Sequence, residues 1–136
     1  MDAPRSLLLV GEGNFSFAFS LLRKLSDEKR LGWCVTATSF DSHEQLVRKY
    51  PECVHSLKEA DRKGFQDFLT VLHNVDATRL ESDPRISNKK YDQIIFNFPH
   101  LATEDCNLHS SLLAHFMHSA VELLASNSSI ISITLG

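Results

Sequence analysis

Four short stretches carry residue types at spacings that could do chemistry, and each follows a candidate strand. The first is Gly11-Glu12-Gly13-Asn14-Phe15-Ser16. Two glycines one residue apart allow a tight turn and let a ligand come against bare backbone, and the amides of a helix opening just behind can face a polar or charged group. The spacing follows G-x-G-x-x-G, with Ser16 in the place of the third glycine. A plain strand-to-helix turn needs the same residues, so the pattern takes its weight from lying between a strand and a helix. Glu12 sits badly beside a pyrophosphate and well beside a cation, such as a sulfonium or an amino-acid ammonium. No G-x-x-x-x-G-K-[ST] is present, which excludes a nucleoside-triphosphate P-loop of the usual form.

The other three stretches are acidic or amide-bearing. Asp41, in Ser-Phe-Asp-Ser, comes 28 positions after Gly13, further than the ~20 typical of dinucleotide sites. It could accept hydrogen bonds from two ribose hydroxyls, or either Asp41 or Ser42 could cap a helix. Asp76, in His-Asn-Val-Asp-Ala-Thr, could accept from the exocyclic amine of a purine or make an Asx turn. Asn97-Phe98-Pro99-His100 closes a buried strand. The Asn97 amide both donates and accepts, Phe98 can stack on a flat base, and Pro99 stiffens the turn. An ordinary strand-ending turn is the competing explanation. Together the four stretches suit an adenosine-containing cofactor better than a phosphorylated one.

The elements that must position these residues alternate. Strand candidates are Ser6 to Val10, Trp33 to Phe40, Phe68 to Asn74, Tyr91 to Phe98 and Ser129 to Leu135. Ala18, Leu21, Leu22 and Leu25 recur at helical spacing, opposite Arg23, Lys24 and Asp27. A helix from Ser42 to Lys49 stops before Pro51, and another from Glu52 to Lys63 ends at Gly64. The last helix, Leu108 to Ala125, sets Leu108, Leu112, Leu113, Phe116, Ala120 and Leu124 on one face. This order predicts an α/β fold: a doubly wound, mostly parallel Rossmann-like sheet, with functional residues beyond the carboxyl ends of its strands.

Bulk composition narrows the field. The 136 residues, 43% hydrophobic and 23% charged, suit a single domain over 1–136. No apolar run approaches the ~18 to 20 residues that cross a bilayer, and the N-terminus is too short for a signal peptide, so the reading is soluble and intracellular with no membrane partner. Cys34, Cys53 and Cys106 form neither a disulfide framework nor a zinc ribbon, and Cys34 reads as a small core residue. The net charge of -3 gives no overall footprint for nucleic acid. Lys89, Lys90, Arg79 and Arg85 are a local basic candidate, with a solvated loop favoured. His115, His118 and Glu122 share one helical face, but a solvated face is favoured over a metal site, and no metal is expected.

The motifs VGEGNFSF, ATSFDS, KYPE, VLHNVDAT and YDQIIFNFPH, with the closing helix and strand, resemble the Rossmann-like domain of the eukaryotic ribosomal-RNA uracil-N3 methyltransferase type. That domain is also found at the N-terminus of the ferredoxin-fold anticodon-binding-domain-containing protein. The likeness runs from Leu7 onward. It implies a class I methyltransferase fold that binds S-adenosylmethionine and takes RNA, ribosomal RNA in particular, as substrate. A nucleolar or nuclear place is implied too, with a cytoplasmic one left open.

By the same likeness Gly11, Glu12, Gly13, Asn14, Phe15 and Ser16 would hold the cofactor at the first turn. Asp41 and Ser42 would lie at the ribose, and Asp76 and Ala77 at the adenine. Asn97, Pro99 and His100 would form the catalytic set, Asn97 also touching the cofactor. Phe98 and His100 depart from the Asn/Asp-Pro-Pro-aromatic motif of amino-group methyltransferases. For a uracil N3 target, His100 is the nearby side chain able to take the imide proton near neutral pH.

Class I methyltransferases add a sixth and seventh strand, whereas this sequence closes at Gly136 after the fifth candidate. The expectation is therefore a sheet lacking its last strands, with an unprotected apolar edge at Ile130 to Leu135. The chain would be a fragment or splice form, or a protein partner would complete the sheet. The alternative to an enzyme is a non-catalytic adapter or interaction module retaining a nucleoside pocket. A nicotinamide or nucleotide binder is a third reading, disfavoured by Ser16 and Glu12.

Overall fold

The computed structural model describes residues 5–13, 15–27, 32–62, 68–97 and 106–134. At its centre is β1 (Arg5–Val10). Leu7 and Leu9 face one side of the sheet and Leu8 and Val10 the other, all four buried. A strand covered on both faces needs apolar side chains at every position, which is why Leu7 to Val10 shows no polar alternation.

β2 (Trp33–Thr38) and β4 (Gln93–Asn97) flank β1, with β3 (Leu69–Leu72) outside β2 and β5 (Ile130–Thr134) outside β4. All four pairings are parallel. The order β3-β2-β1-β4-β5 reverses between β1 and β4, so the crevice that such sheets use for ligands opens at the ends of those two strands.

Helices cover both faces, as a doubly wound sheet requires. On one side lie α1 (Ser16–Asp27), α2 (His43–Lys49) and α3 (Glu52–Arg62). There Phe15, Ala18, Phe19, Leu22, Leu25, Leu46 and Cys53 pack on Leu7, Leu9, Val35 and Ala37. On the other side lie a 3-10 turn at Leu80–Ser82, α4 (Pro84–Ser87) and α5 (Cys106–Val121). Leu80, Ile86, Phe116, Ala120 and Leu123 there pack on Leu8, Val10, Ile94 and Phe96. The Phe96 and Phe116 rings meet edge to face at 4.9 Å.

Several expected boundaries move, each for a local reason. β3 ends at Leu72 rather than Asn74, because Asn74 turns with φ of 58°. α5 ends at Val121 rather than Ala125. Leu123 folds under into the core, and Leu124 forms a bridge with Tyr91. Leu108, expected on the buried face of that helix, is 49% exposed. Cys34 is exposed, not core, because it lies at the start of β2, ahead of the buried positions of the strand. The Gly64 helix stop lies outside the described residues.

α2 ends at Lys49 with Tyr50 as its C-cap, just before Pro51, as the proline dictates. The segment after Asp76, read as loop, contains the 3-10 turn and α4, which Asp83 caps by accepting from the Arg85 amide. Among the described residues β5 pairs only with β4, and Ile130 is 57% exposed. No described helix is long and apolar enough to cross a membrane.

Tyr91 fastens the second layer: it is fully buried, and its hydroxyl donates to the Ile86 carbonyl over 3.0 Å. Burial pushes that hydroxyl up to about 12. Replacing Tyr91 with Phe leaves the Ile86 carbonyl without this donor, and urea unfolding should show a loss of about 1 to 2 kcal/mol. No measurable loss would mean that the bond does not fasten this layer.

Candidate functional site

The chain leaves β1 at Gly11 with φ of +69°, a conformation that side chains resist. A Cβ at Gly11 would also lie 2.6 Å from Cε1 of Phe96. Glycine is therefore required twice over, once by the turn and once by the ring beneath it. The Glu12 amide donates to the Thr38 carbonyl at 2.8 Å, which ties the turn to the end of β2. The atoms nearest to a Cβ added at Gly13 belong to Tyr50, whose hydroxyl oxygen would be 3.4 Å away. Phe15 follows with φ of +65°, a strained conformation held by a fully buried ring. The side chains closest to the two glycines are thus the protein's own Phe96 and Tyr50, while Gly11 itself stays exposed.

Glu12 lies between them. Its Oε1 is buried and has no hydrogen-bond partner among the described residues, although the Ala18 backbone supports the carboxyl group. A half-buried carboxylate with an orphaned oxygen on exposed backbone suits a cationic ligand group.

At the end of β2 the cap question resolves. Ser42 caps α2: its hydroxyl accepts from the Gln45 amide at 3.2 Å, and the Gln45 side chain accepts from the Ser42 amide at 2.9 Å. The Asp41 carboxylate is therefore not the cap. Lys49 Nζ instead reaches both of its oxygens at 3.1 Å. Asp76 makes the Asx turn, its Oδ1 accepting from the Thr78 amide at 2.9 Å and the Thr78 hydroxyl at 2.6 Å. The Ala77 carbonyl accepts from Ser119 Oγ at 2.8 Å, which links this loop to α5. Asn97 is the last residue of β4, and because Phe96 pairs with Val10, Asn97 stands beside Gly11 at the mouth of the crevice.

The sheet thus brings Gly11, Glu12, Gly13, Asp41, Ser42, Asp76, Ala77 and Asn97 to its carboxyl end. Ser16 opens α1 behind the glycine turn. Phe15 turns its ring into the core, which leaves its backbone toward the turn. Asn14, Phe98, Pro99 and His100 lie outside the described residues. Arg85 is held by Asp83 and by the carbonyls of His73 and Asn74, Lys90 donates to the Glu122 carbonyl, and Lys89 lies over the Tyr91 ring. Among the described residues no group of three His, Cys, Asp or Glu could hold a metal ion.

Sequence reasoning does not anticipate Lys49, Tyr50, Ser39 or His73 at this end of the sheet. One signal for the arrangement was legible: Ser42-x-x-Gln45 is a capping-box spacing, which assigns the cap to Ser42 and frees Asp41.

A family model described as rRNA (uridine-N3-)-methyltransferase BTM5-like matches residues 8–135. Heavy metal-associated isoprenylated plant protein 41 of Arabidopsis thaliana is 36% identical over 133 residues, covering 93% of this chain and 24% of the relative. The Ferredoxin-fold anticodon-binding domain-containing protein 1 homolog of Mus musculus is 37% identical over 123 residues, covering 90% and 18%. The 25S rRNA (uridine(2634)-N(3))-methyltransferase of Saccharomyces cerevisiae is 28% identical over 148 positions, covering 90% and 42%. The chain therefore spans less than half the length of each of these three relatives.

Burial pushes the Glu12 carboxyl up to about 7 from an ordinary 4.5, with the Ala18 backbone bond opposing the shift. Between those values the unfolded chain releases a proton that the folded chain keeps, so this group lowers stability as pH rises through the window and adds nothing further above it. Glu12→Gln should match the parent near pH 4.5 and exceed it by about 3 kcal/mol at pH 8, read from urea unfolding midpoints. Equal stability at pH 8 would mean that the ionised carboxylate finds a partner.

Proposed function

Because the chain belongs to the BMT5-like rRNA (uridine-N3-)-methyltransferase family, we propose that it is the S-adenosylmethionine-binding domain of an enzyme that methylates a base nitrogen of RNA, uracil N3 of ribosomal RNA being the target. The observation that carries this reading is the buried Glu12 oxygen, unpartnered among the described residues, on the exposed glycine turn, beside Asn97 and one strand from Asp41. The residues present suit this cofactor. Glu12 meets the cationic amino-acid end, the bare backbone of Gly11 and Gly13 lets the ligand lie close, and Asp41 accepts from the ribose diol. Asp76 and Ala77 take the adenine edge.

When bound, the cofactor supplies an electrophilic methyl carbon. The protein's part is then to hold the acceptor nitrogen in line and keep its lone pair free, which is catalysis by position. Asn97 offers an amide beside the glycine turn for a base edge, and His100 takes the N3 proton. A ribosomal RNA substrate suits a nuclear or nucleolar location, with a cytoplasmic one left open.

A second reading, a binding module without turnover, draws on the relatives above whose printed names describe other attributes. The two readings separate on turnover: methyl transfer to ribosomal RNA fragments supports the enzyme, and cofactor binding without transfer supports the module.

Calorimetric titration of S-adenosylmethionine tests the site. Gly13→Val and Asp41→Ala should each weaken binding by about tenfold or more, since each removes a close approach or a charge-assisted bond. Affinity should also rise with pH up to about 7 and then level off, because a cation against Glu12 requires the ionised carboxylate. Unaltered affinity in both variants would remove the site from this turn.

A further inference from the structure

Asp41 lies on a turn rather than in a strand, so its direction depends on what holds that turn. Its carbonyl accepts two hydrogen bonds, from Ser39 Oγ at 2.8 Å and from the Asn74 amide at 3.1 Å. Both carbonyl lone pairs are then in use. The backbone adds two further ties: the Ser39 amide donates to the Leu72 carbonyl, and the Val75 amide donates to the Ser39 carbonyl.

Counting protons assigns the neighbouring histidine. Ser39 Oγ carries a single proton, and the Asp41 carbonyl can only accept, so that proton lies between them. Ser39 Oγ also stands 2.8 Å from Nδ1 of His73. Nδ1 must therefore be the donor. Were it bare, the hydroxyl would turn toward it, leaving two oxygens 2.8 Å apart with no proton between them.

The ring is wedged to keep this geometry, edge-on to Phe15 at 6.0 Å and to His43 at 5.3 Å between centroids. The backbone beneath it is clamped as well. Arg85 donates to the carbonyls of His73 and Asn74 at 3.0 and 3.4 Å, and Asp83 fixes that guanidinium. His73 and Ser39 are 34 positions apart. A donor brought from another strand to a hydroxyl that already holds the acid's own carbonyl steers the turn from outside it.

We propose that His73 is a positioning residue for the sugar seat: through Ser39 it aims the Asp41 turn at a ribose diol, and so sets the preference for ribonucleosides over deoxyribonucleosides. The inference rests on the nucleoside reading of the site given above. It concerns the aim of Asp41 alone.

The test is the ratio of affinities for adenosine and 2′-deoxyadenosine, titrated on the whole chain. His73→Phe keeps the ring and removes the donor, and it should lower the ratio about fivefold or more, as expected for a displaced charge-assisted bond. His73→Asn places an amide donor near the Nδ1 position and should restore the ratio to within about twofold of the parent. A variant that merely loosens the fold weakens both nucleosides together and leaves the ratio alone. An unchanged ratio in His73→Phe overturns the proposal.

Should His73→Phe fail to fold, His73→Gln, whose donor reaches toward the Nε2 position, replaces it in the comparison with His73→Asn. Equal ratios for those two overturn the proposal in the same way. Asp41→Asn separates this failure from failure of the site itself. If it lowers the ratio while His73→Phe does not, only the role of His73 falls. If it leaves the ratio unchanged, or if the parent binds neither nucleoside, the nucleoside reading falls and takes the proposal with it.

Discussion

The arrangement depends on one steric constraint, the Phe96 ring lying directly beneath the point where β1 ends. β1 is covered on both faces, so the chain must rise out of the sheet at its last residue, over an aromatic side chain from the strand beside it. Only a residue without a Cβ can make that step. Phe96 is locked in turn by Phe116 of α5, so the height of the glycine turn is set by the packing of the opposite layer. The turn cannot settle into the sheet, and it leaves exposed backbone at the strand crossing where parallel sheets place their ligands.

A second set of forces holds the rim of β2 and β3. The amides and carbonyls of Ser39, Asp41, Leu72, Asn74 and Val75 bond across the two chain exits, and the Asp83–Arg85 pair closes the far side. That ion pair is exposed on the arginine side, so its value lies in geometry more than in strength. Burial first, and then the neighbouring His43 and Arg85, push His73 below its ordinary value. A neutral imidazole spares this rim another positive charge beside Arg85 and Lys49.

Much of this was legible in the sequence where the cause is local. The apolar run of β1, the glycine pair and the helix stop before Pro51 all follow from neighbouring residues. So does the alternation that predicts parallel strands. What is not legible is contact between distant segments. Nothing in the local sequence says that His73 meets Ser39, or that Tyr50 returns to Gly13. Cys34 was misread because an apolar neighbourhood does not reveal how far along a strand the covering helices extend. The end of α5 was misread because Leu123 and Leu124 continue its apolar pattern after the backbone has already turned.

Lys49 gives Asp41 an occupant before any ligand arrives. Its ammonium sits symmetrically in the fork of the carboxylate, on the side that a pair of vicinal hydroxyls would need. Any sugar entering there takes part in an exchange reaction: one charge-assisted contact is given up as another forms, and a mobile cation is turned loose at the mouth of the cleft. For the proposed nucleoside, the net affinity of that position is consequently a small difference between two comparable attractions.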